Sequence, residues 1–396
     1  MVDGMSAEFA EMISRVISPL AEPMPQGVTP KLLPSWVSFF SAPDELVLVV
    51  SSETSELLDN LLVFGLHHGH GRRLHLVFPR ETEETPVAAE STRIRAAFFR
   101  TPVHVWTFLE TDPARATLRA LEPYTRAEAL GVSRREEARG QKSSVVDSAP
   151  WIIALWSWAS LAGLLHDSGR GKWYLNGALI MELTTNSRGS RLVVGARSGE
   201  HSRDEHAVAL DDQPTLEQWG KIADRIAEDA NSEWFEKRLR DYPEHDIQDA
   251  IGRNLIDLGW DAEVLLREYP ATRPNGGLGL IDFLGLDKTG TLRIVETKIG
   301  DGDRMMPLQG LDYWIWATAN KHLVEDAVGR PFTGIRLDFV IGRSPKKRPD
   351  AQILNTYAPA VLRLLNDDIA WEIHTIPELA PAVRRVTSWG AQALEM

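Results

Sequence analysis

The sequence predicts an α/β protein of several units, on three observations. Residues 45–110 alternate short apolar runs with helical stretches, and residues 172–198 hold strand-like runs around a turn signal. Residues 241–396 run helix, three strands, helix, strand, helix, strand. A chain of 396 residues is long for a single core, so the expected division is 1–112, 113–211, 212–240 and 241–396.

The first unit reads "ELVLVVSS", "TSELLDNLLVFGLHH", "RLHLVFP", "AAESTRIRAAFF" and "PVHVWTFLE". Strands alternating with helices call for right-handed crossovers and hence a parallel, Rossmann-like sheet. No glycine-rich dinucleotide fingerprint comes after the first strand. In its place stands "SSETS", residues 51–55, hydroxyls at a helix amino terminus where the phosphate of a nucleotide ligand could bind. Ser52 or Thr54 as an ordinary helix cap is the favoured reading, because capping is so common there.

The middle region holds "APWIIALWSWASLAGLL", residues 149–165. This is the one membrane candidate, at the lower length limit for a span and with no basic residue near its carboxyl end. A buried helix or a homodimer interface is expected instead, with Trp151, Trp156 and Trp158 as packing residues. A small β-meander comes next, with Asn176–Gly177 as its hairpin turn. The connecting helix puts Trp219, Ile222, Ala223 and Ile226 on one face.

The last unit has strands apolar on both faces, so helices should cover both sides of its sheet. Its stretch "LGLIDFLGLDKTGTLRIVETKIG", residues 278–300, folds on paper into a hairpin. The loop Lys288–Thr289–Gly290 needs a left-handed residue, supplied by Gly290. Asp287 then pairs with Thr291; Leu284 faces Ile294, Asp282 faces Glu296 and Leu280 faces Lys298, these three pairs on one side. Facing carboxylates would have Cβ atoms roughly 4.5–5.5 Å apart. That repels unless one is protonated or a cation lies between them. Lys298 supplies one positive charge, and hard oxygen ligands favour Mg²⁺ or Mn²⁺ for the rest. An ordinary surface salt bridge of Lys298 competes with this reading. It weakens because Glu244, beside the helix-starting Pro243, shares a helical face with Ile247, Ile251 and Leu255. Gln309 and Tyr313 likewise share one face of the next helix.

With these residues, the segment 232–376 resembles the PD-(D/E)xK nuclease superfamily. Asp282 matches the motif's Asp, Glu296 its acidic residue and Lys298 its Lys. Glu244 resembles the acid that many members carry on the first helix, with Glu236, Asp246 and Asp249 as alternatives. Gln309 and Tyr313 resemble the Gln–x3–Tyr motif of some branches, and Ile281 rather than proline precedes Asp282. The resemblance implies a restriction-endonuclease-like αβββαβ core with helices on both sheet faces. It also implies Mg²⁺-dependent hydrolysis of phosphodiester bonds, with DNA the commoner substrate. Asp282, Glu296, Glu244 and the Thr297 carbonyl would hold one or two ions. Lys298 would orient the attacking water or neutralise the transition state, while Gln309 and Tyr313 would position the substrate backbone or the lysine. Two alternatives stand beside it. One is an effector nuclease switched on by a nucleotide or cyclic oligonucleotide at an amino-terminal sensor. The other is a non-catalytic nucleic-acid-binding module on the same fold.

Composition narrows the partners. There is no cysteine, which excludes disulfides, zinc–thiolate sites and Cys nucleophiles and fits a cytoplasmic setting. The net charge of −13 argues against a broadly basic nucleic-acid coat, so any grip on a polyanion is local. The amino terminus lacks the basic-then-apolar order of a signal peptide. "GRSPKKRP", residues 342–349, is the candidate phosphate-contacting loop, with a plain solvated loop nearly as good a reading. Arg267 and Arg273 flank the hairpin as weaker candidates. "HHGHGRR", residues 67–73, reads as a polar loop rather than a metal site, having no acidic partner nearby.

Overall fold

The computed structural model describes residues 22–23, 37–50, 58–80, 82, 84–109, 118–135, 165–167, 172–175, 178–186, 189–194, 207–210, 217, 221, 224–225, 228, 244–253, 260–300, 303–343, 354–376 and 387–390. The amino-terminal 21 residues, "SSETS", Trp151, Trp156, Trp158, the connecting-helix face of Trp219, Ile222, Ala223 and Ile226, Glu236, and residues 344–349 of the basic loop lie outside the described residues. The chain is a mixed α/β protein, with three sheets among the described residues.

The first sheet is ordered β1 (Glu22–Pro23), β2 (Val37–Ser41), β3 (Glu45–Val50), β4 (Arg73–Arg80), β5 (Val103–Leu109) and β6 (Leu118–Leu121). The strands β3, β4 and β5 run parallel, as alternation with α1 (Leu58–Gly69) and α2 (Val87–Ala96) requires. Antiparallel β2 and β6 flank them. Helix α3 (Arg126–Ser133) comes next, its start fixed by Thr125 and Glu128, which cap each other's backbone N–H.

The second sheet is an antiparallel meander of β7 (Leu165–Asp167), β8 (Lys172–Leu175), β9 (Ala178–Asn186), β10 (Gly189–Val194) and β11 (Ala207–Leu210). Leu175 pairs with Ala178; the expected turn residues Asn176 and Gly177 lie outside the described residues.

The third region runs α4 (Glu244–Arg253), β12 (Ala262–Thr272), β13 (Leu278–Asp287), β14 (Thr291–Ile299), α5 (Met306–Ala319), α6 (Lys321–Val328), β15 (Gly334–Gly342), α7 (Tyr357–Leu362), β16 (Ala370–Ile376) and β17 (Thr387–Gly390). The meander β12–β13–β14 is antiparallel, whereas β14, β15 and β16 are parallel. Helix α6 and strand β17 are additions to the expected order.

The first and third sheets share one core. Leu46, Leu48 and Leu76 of the first and Leu284, Ile294, Leu337 and Ile373 of the third belong to a single buried cluster. Helical residues Leu61, Ile94, Leu311, Ile315 and Val361 belong to it as well. The two halves also meet through specific contacts: Phe98 packs edge-on against Trp314, and Phe99 bridges to Leu365. At the centre, Arg95 of α2 makes two 2.7 Å bonds to Asp312 of α5, both side chains 2% exposed. Helix α4 covers the opposite face of the third sheet, where Ile247 and Ile251 join Trp260, Phe283, Val295 and Val340. Among the described residues, no helix is long and apolar enough to cross a membrane.

Candidate functional site

The hairpin has the expected register: Leu284 pairs with Ile294 and Leu286 with Leu292, and Gly290 has φ +84° at the turn. The ladder between β13 and β14 ends at Phe283 and Val295, one step short of Asp282. Here the strand bends. Phe283 and its partner Arg267 lie on the α4 side, Phe283 in that cluster and Arg267 on Gln248. Ile281 and its partner Tyr269 belong to the shared core. Strict alternation would put all four on one face. The intervening Glu268 has φ +48°, a left-handed kink in β12 that carries β13 with it. The expected facing pairs Asp282–Glu296 and Leu280–Lys298 are therefore absent from the ladder. Asp282 instead receives hydrogen bonds on Oδ2 from Thr297, one from the backbone N–H at 2.7 Å and one from the hydroxyl at 2.6 Å.

Three of the expected charges meet at this open end. Lys298 Nζ lies 2.8 Å from Glu296 Oε1 and 3.2 Å from Glu244 Oε1. Glu244 reaches over from the first residue of α4, so the helix acid favoured by sequence does contact Lys298. Glu296 is 3% exposed, and its Oε2 is buried with no hydrogen-bond partner among the described residues. Burial, then the charge of Asp282, pushes the Glu296 carboxyl up to about 8 against the pull of Lys298. Burial also raises Asp282 and Glu244. Burial opposes the charge on Lys298, but Glu296, Asp282 and Glu244 together hold its value above normal. Glu296 and Glu244 share the Lys298 ammonium, and Asp282 adds a third acid whose charge acts on both Glu296 and Lys298.

This arrangement makes stability depend on pH. A carboxyl whose value is higher folded than unfolded keeps its proton more tightly in the folded state, so stability falls as pH rises through that interval. For Glu296 the interval runs from 4.5 to about 8. The thermal midpoint of metal-free protein is expected to drop across this interval. In Glu296→Gln the drop should be shallower; an unchanged slope would show that Glu296 keeps an ordinary value.

Gln309 and Tyr313 divide. Tyr313 donates to the Leu280 carbonyl at 2.9 Å and accepts from Arg273 Nη2 at 3.1 Å. It thus ties α5 to β13 two residues before Asp282, and makes no bond to Lys298. Gly279 permits this approach, since a Cβ there would lie 2.7 Å from both Arg273 Nε and the Tyr313 ring. Gln309 Oε1 is buried with no hydrogen-bond partner among the described residues.

An unpartnered buried carboxylate oxygen is costly unless a cation or donor meets it. Glu296 Oε2 and Asp282 Oδ1, which accepts no hydrogen bond from the described residues, are hard oxygen donors of the kind Mg²⁺ and Mn²⁺ take. The donor set fits such an ion. No family model, curated protein or solved structure matches this chain.

Other charged groups have different roles. Arg267, expected as a weak phosphate contact, is 1% exposed and lies 4.0 Å from the centre of the Tyr174 ring. That aromatic cover comes from the meander and removes it from any phosphate. His67 stacks on Tyr357 at 3.9 Å and His68 bonds its hydroxyl. A third cluster went unread in sequence: Asp338, Glu372 and His374, whose potential ligand atoms lie within 4.8 Å of one another. Guanidiniums already fill it. Arg293 meets Asp338 at 2.5 Å, and Arg336 meets both Asp338 and Glu372. Burial alone would raise the Asp338 carboxyl, but the His374 bond and the charges of Arg293 and Arg336 outweigh it and leave Asp338 below its usual value, which marks a compensated ion network. The available signal was charge at alternate positions, Arg336 with Asp338 and Glu372 with His374.

Proposed function

We propose that this chain is a Mg²⁺-dependent nuclease of PD-(D/E)xK type that hydrolyses phosphodiester bonds in DNA at the open end of β13 and β14. The observation that carries the reading is Glu296, a buried carboxylate with one oxygen on Lys298 and the other without a partner among the described residues. The order helix, three antiparallel strands, helices and a parallel strand, with helices on both faces, supports a restriction-endonuclease-like core. Asp282 and Glu296 would hold the ion, with Glu244 and the Thr297 carbonyl as further donors. When bound there, Mg²⁺ or Mn²⁺ supplies a more acidic water and neutralises charge at the phosphate.

The chain's own groups do the rest. Lys298, held charged between Glu296 and Glu244, presents a fixed ammonium to the developing negative charge. Tyr313 holds the Leu280 carbonyl, which keeps β13 bent and Asp282 in place. Arg273, half-buried beside Tyr313, adds a second cation at the rim.

The test is cleavage of single- and double-stranded DNA and RNA by purified protein, with Mg²⁺, with Mn²⁺ and with chelator. Metal-dependent loss of intact DNA is expected. Binding of nucleic acid without cleavage under any metal would defeat the reading in favour of a non-catalytic module. A second reading, the nucleotide-regulated effector, gains from Arg95, which ties the first unit to the residue next to Tyr313. Cleavage that appears after adding a nucleotide or cyclic oligonucleotide, and not before, would select it.

A further inference from the structure

Behind Asp282 lies a line of buried polar side chains. Arg267 of β12 donates from Nη2 to Gln248 Oε1 at 3.0 Å. Gln248 of α4, 8% exposed, donates from Nε2 to Thr297 Oγ1 at 3.2 Å. Thr297, fully buried, passes its hydroxyl hydrogen to Asp282 Oδ2.

The sense of every bond is set by the first member. A guanidinium has donors and no acceptor, so Gln248 must turn its carbonyl oxygen to Arg267 and its NH₂ to Thr297. That NH₂ can only donate, so the Thr297 oxygen receives it and the single hydroxyl hydrogen is left for Asp282. Reversing any one bond would break its neighbours. In a low-dielectric interior such a chain is mutually reinforcing.

We infer that Arg267 and Gln248 are positioning residues for Asp282: their one-way hydrogen-bond relay commits Oδ2 to the protein and leaves Oδ1 aimed at a divalent cation. The cation at the end of the relay rests on the nuclease reading, whereas the relay itself belongs to the metal-free protein. It also gives the meander a purpose. Tyr174 of β8 covers Arg267 with its ring and shares a 3.2 Å hydrogen bond with Glu268, the left-handed residue at the bend. The second sheet thus forms the back wall of the site, holding the donor that sets the relay's direction and the kink that frees Asp282 from the ladder.

Gln248→Glu tests the direction while preserving the shape. A carboxylate there accepts from Arg267 with a stronger, charge-assisted bond. It offers no donor, so the Thr297 hydroxyl turns to it and Asp282 loses one of its two bonds. The added negative charge alone would tighten cation binding, so weaker binding reports lost orientation. Two readouts separate the claims. Without the hydroxyl bond the Asp282 carboxylate is held by the amide alone and moves off it more often, so in metal-free protein the Thr297 amide is expected to exchange its hydrogen about tenfold faster in Gln248→Glu and Thr297→Val, with Thr297→Ser retaining slow exchange. Mn²⁺ affinity, by calorimetry, is expected to fall about 10–100-fold in Gln248→Glu and in Thr297→Val, and no further in the double variant. Unchanged exchange in Gln248→Glu, or losses of affinity that multiply in the double variant, would overturn the relay. Mn²⁺ binding by unaltered protein with no cleavage would defeat the nuclease reading and leave the relay standing. Absence of Mn²⁺ binding by unaltered protein would overturn the cation-aiming role.

Discussion

Lys298→Met is expected to slow phosphodiester cleavage by about 10²–10³-fold while the protein still binds Mn²⁺. The methionine keeps the length and apolar stem of lysine, so packing beside Glu296 is preserved. What goes is the one ammonium that Glu296 and Glu244 share. The acids then lose their nearest cation and are held together less well, so metal-free protein melts lower. The upward shift of its melting temperature on adding Mn²⁺ grows, because a ligand that binds the folded state stabilises it by mass action. Loss of rate with retained metal binding is the signature of a group acting on the reacting phosphate. Equal rates in variant and parent would remove Lys298 from the chemistry.

Arg95→Ala is expected to be the most destabilising single change in the shared layer, at about 3–5 kcal/mol in urea unfolding. Truncation leaves the Asp312 carboxylate, 2% exposed, without its bidentate guanidinium between two sheets. The cost is that of an uncompensated buried charge rather than of a missing attraction. For that reason the double variant Arg95→Met with Asp312→Leu should recover most of the loss, since apolar replacements of a buried ion pair are often neutral. If Arg95→Ala loses under 1 kcal/mol, water must already reach the pair.

Both expectations bear on how much of the molecule is legible in its sequence. The hairpin is legible because its turn chemistry is local: Gly290 ends the loop, and Leu284 does face Ile294. The parallel strands of the first sheet are legible for a similar reason, their alternation with helices. The bend at Asp282 is not. It originates in Glu268 on the neighbouring strand, a residue type with no preference for left-handed backbone, so nothing in "LLREY" announces it. Glu244, Glu296 and Lys298 come together as expected, yet the partner of Asp282 is Thr297, a residue expected to act through its carbonyl and not through its donors. Arg267 misleads because its cover, Tyr174, arrives from a separate sheet. Helical periodicity shows which side of α2 or α5 is apolar, but not that each is the other's partner. In sequence, Arg95 and Asp312 are two unremarked charges on two different helices.

The layer of helices shared by the first and third sheets has a consequence for synthesis. Polypeptide is made from the amino terminus, so Ile94, Phe98 and Arg95 emerge long before Trp314, Asp312 and Leu365 exist to cover them. At roughly 5–20 residues per second that interval is on the order of tens of seconds. Through it, the nascent first sheet carries a bare apolar flank and an unmatched guanidinium. The chain needs shelter on the ribosome until its last third arrives, and fragments ending near residue 240 should aggregate rather than accumulate as free-standing units.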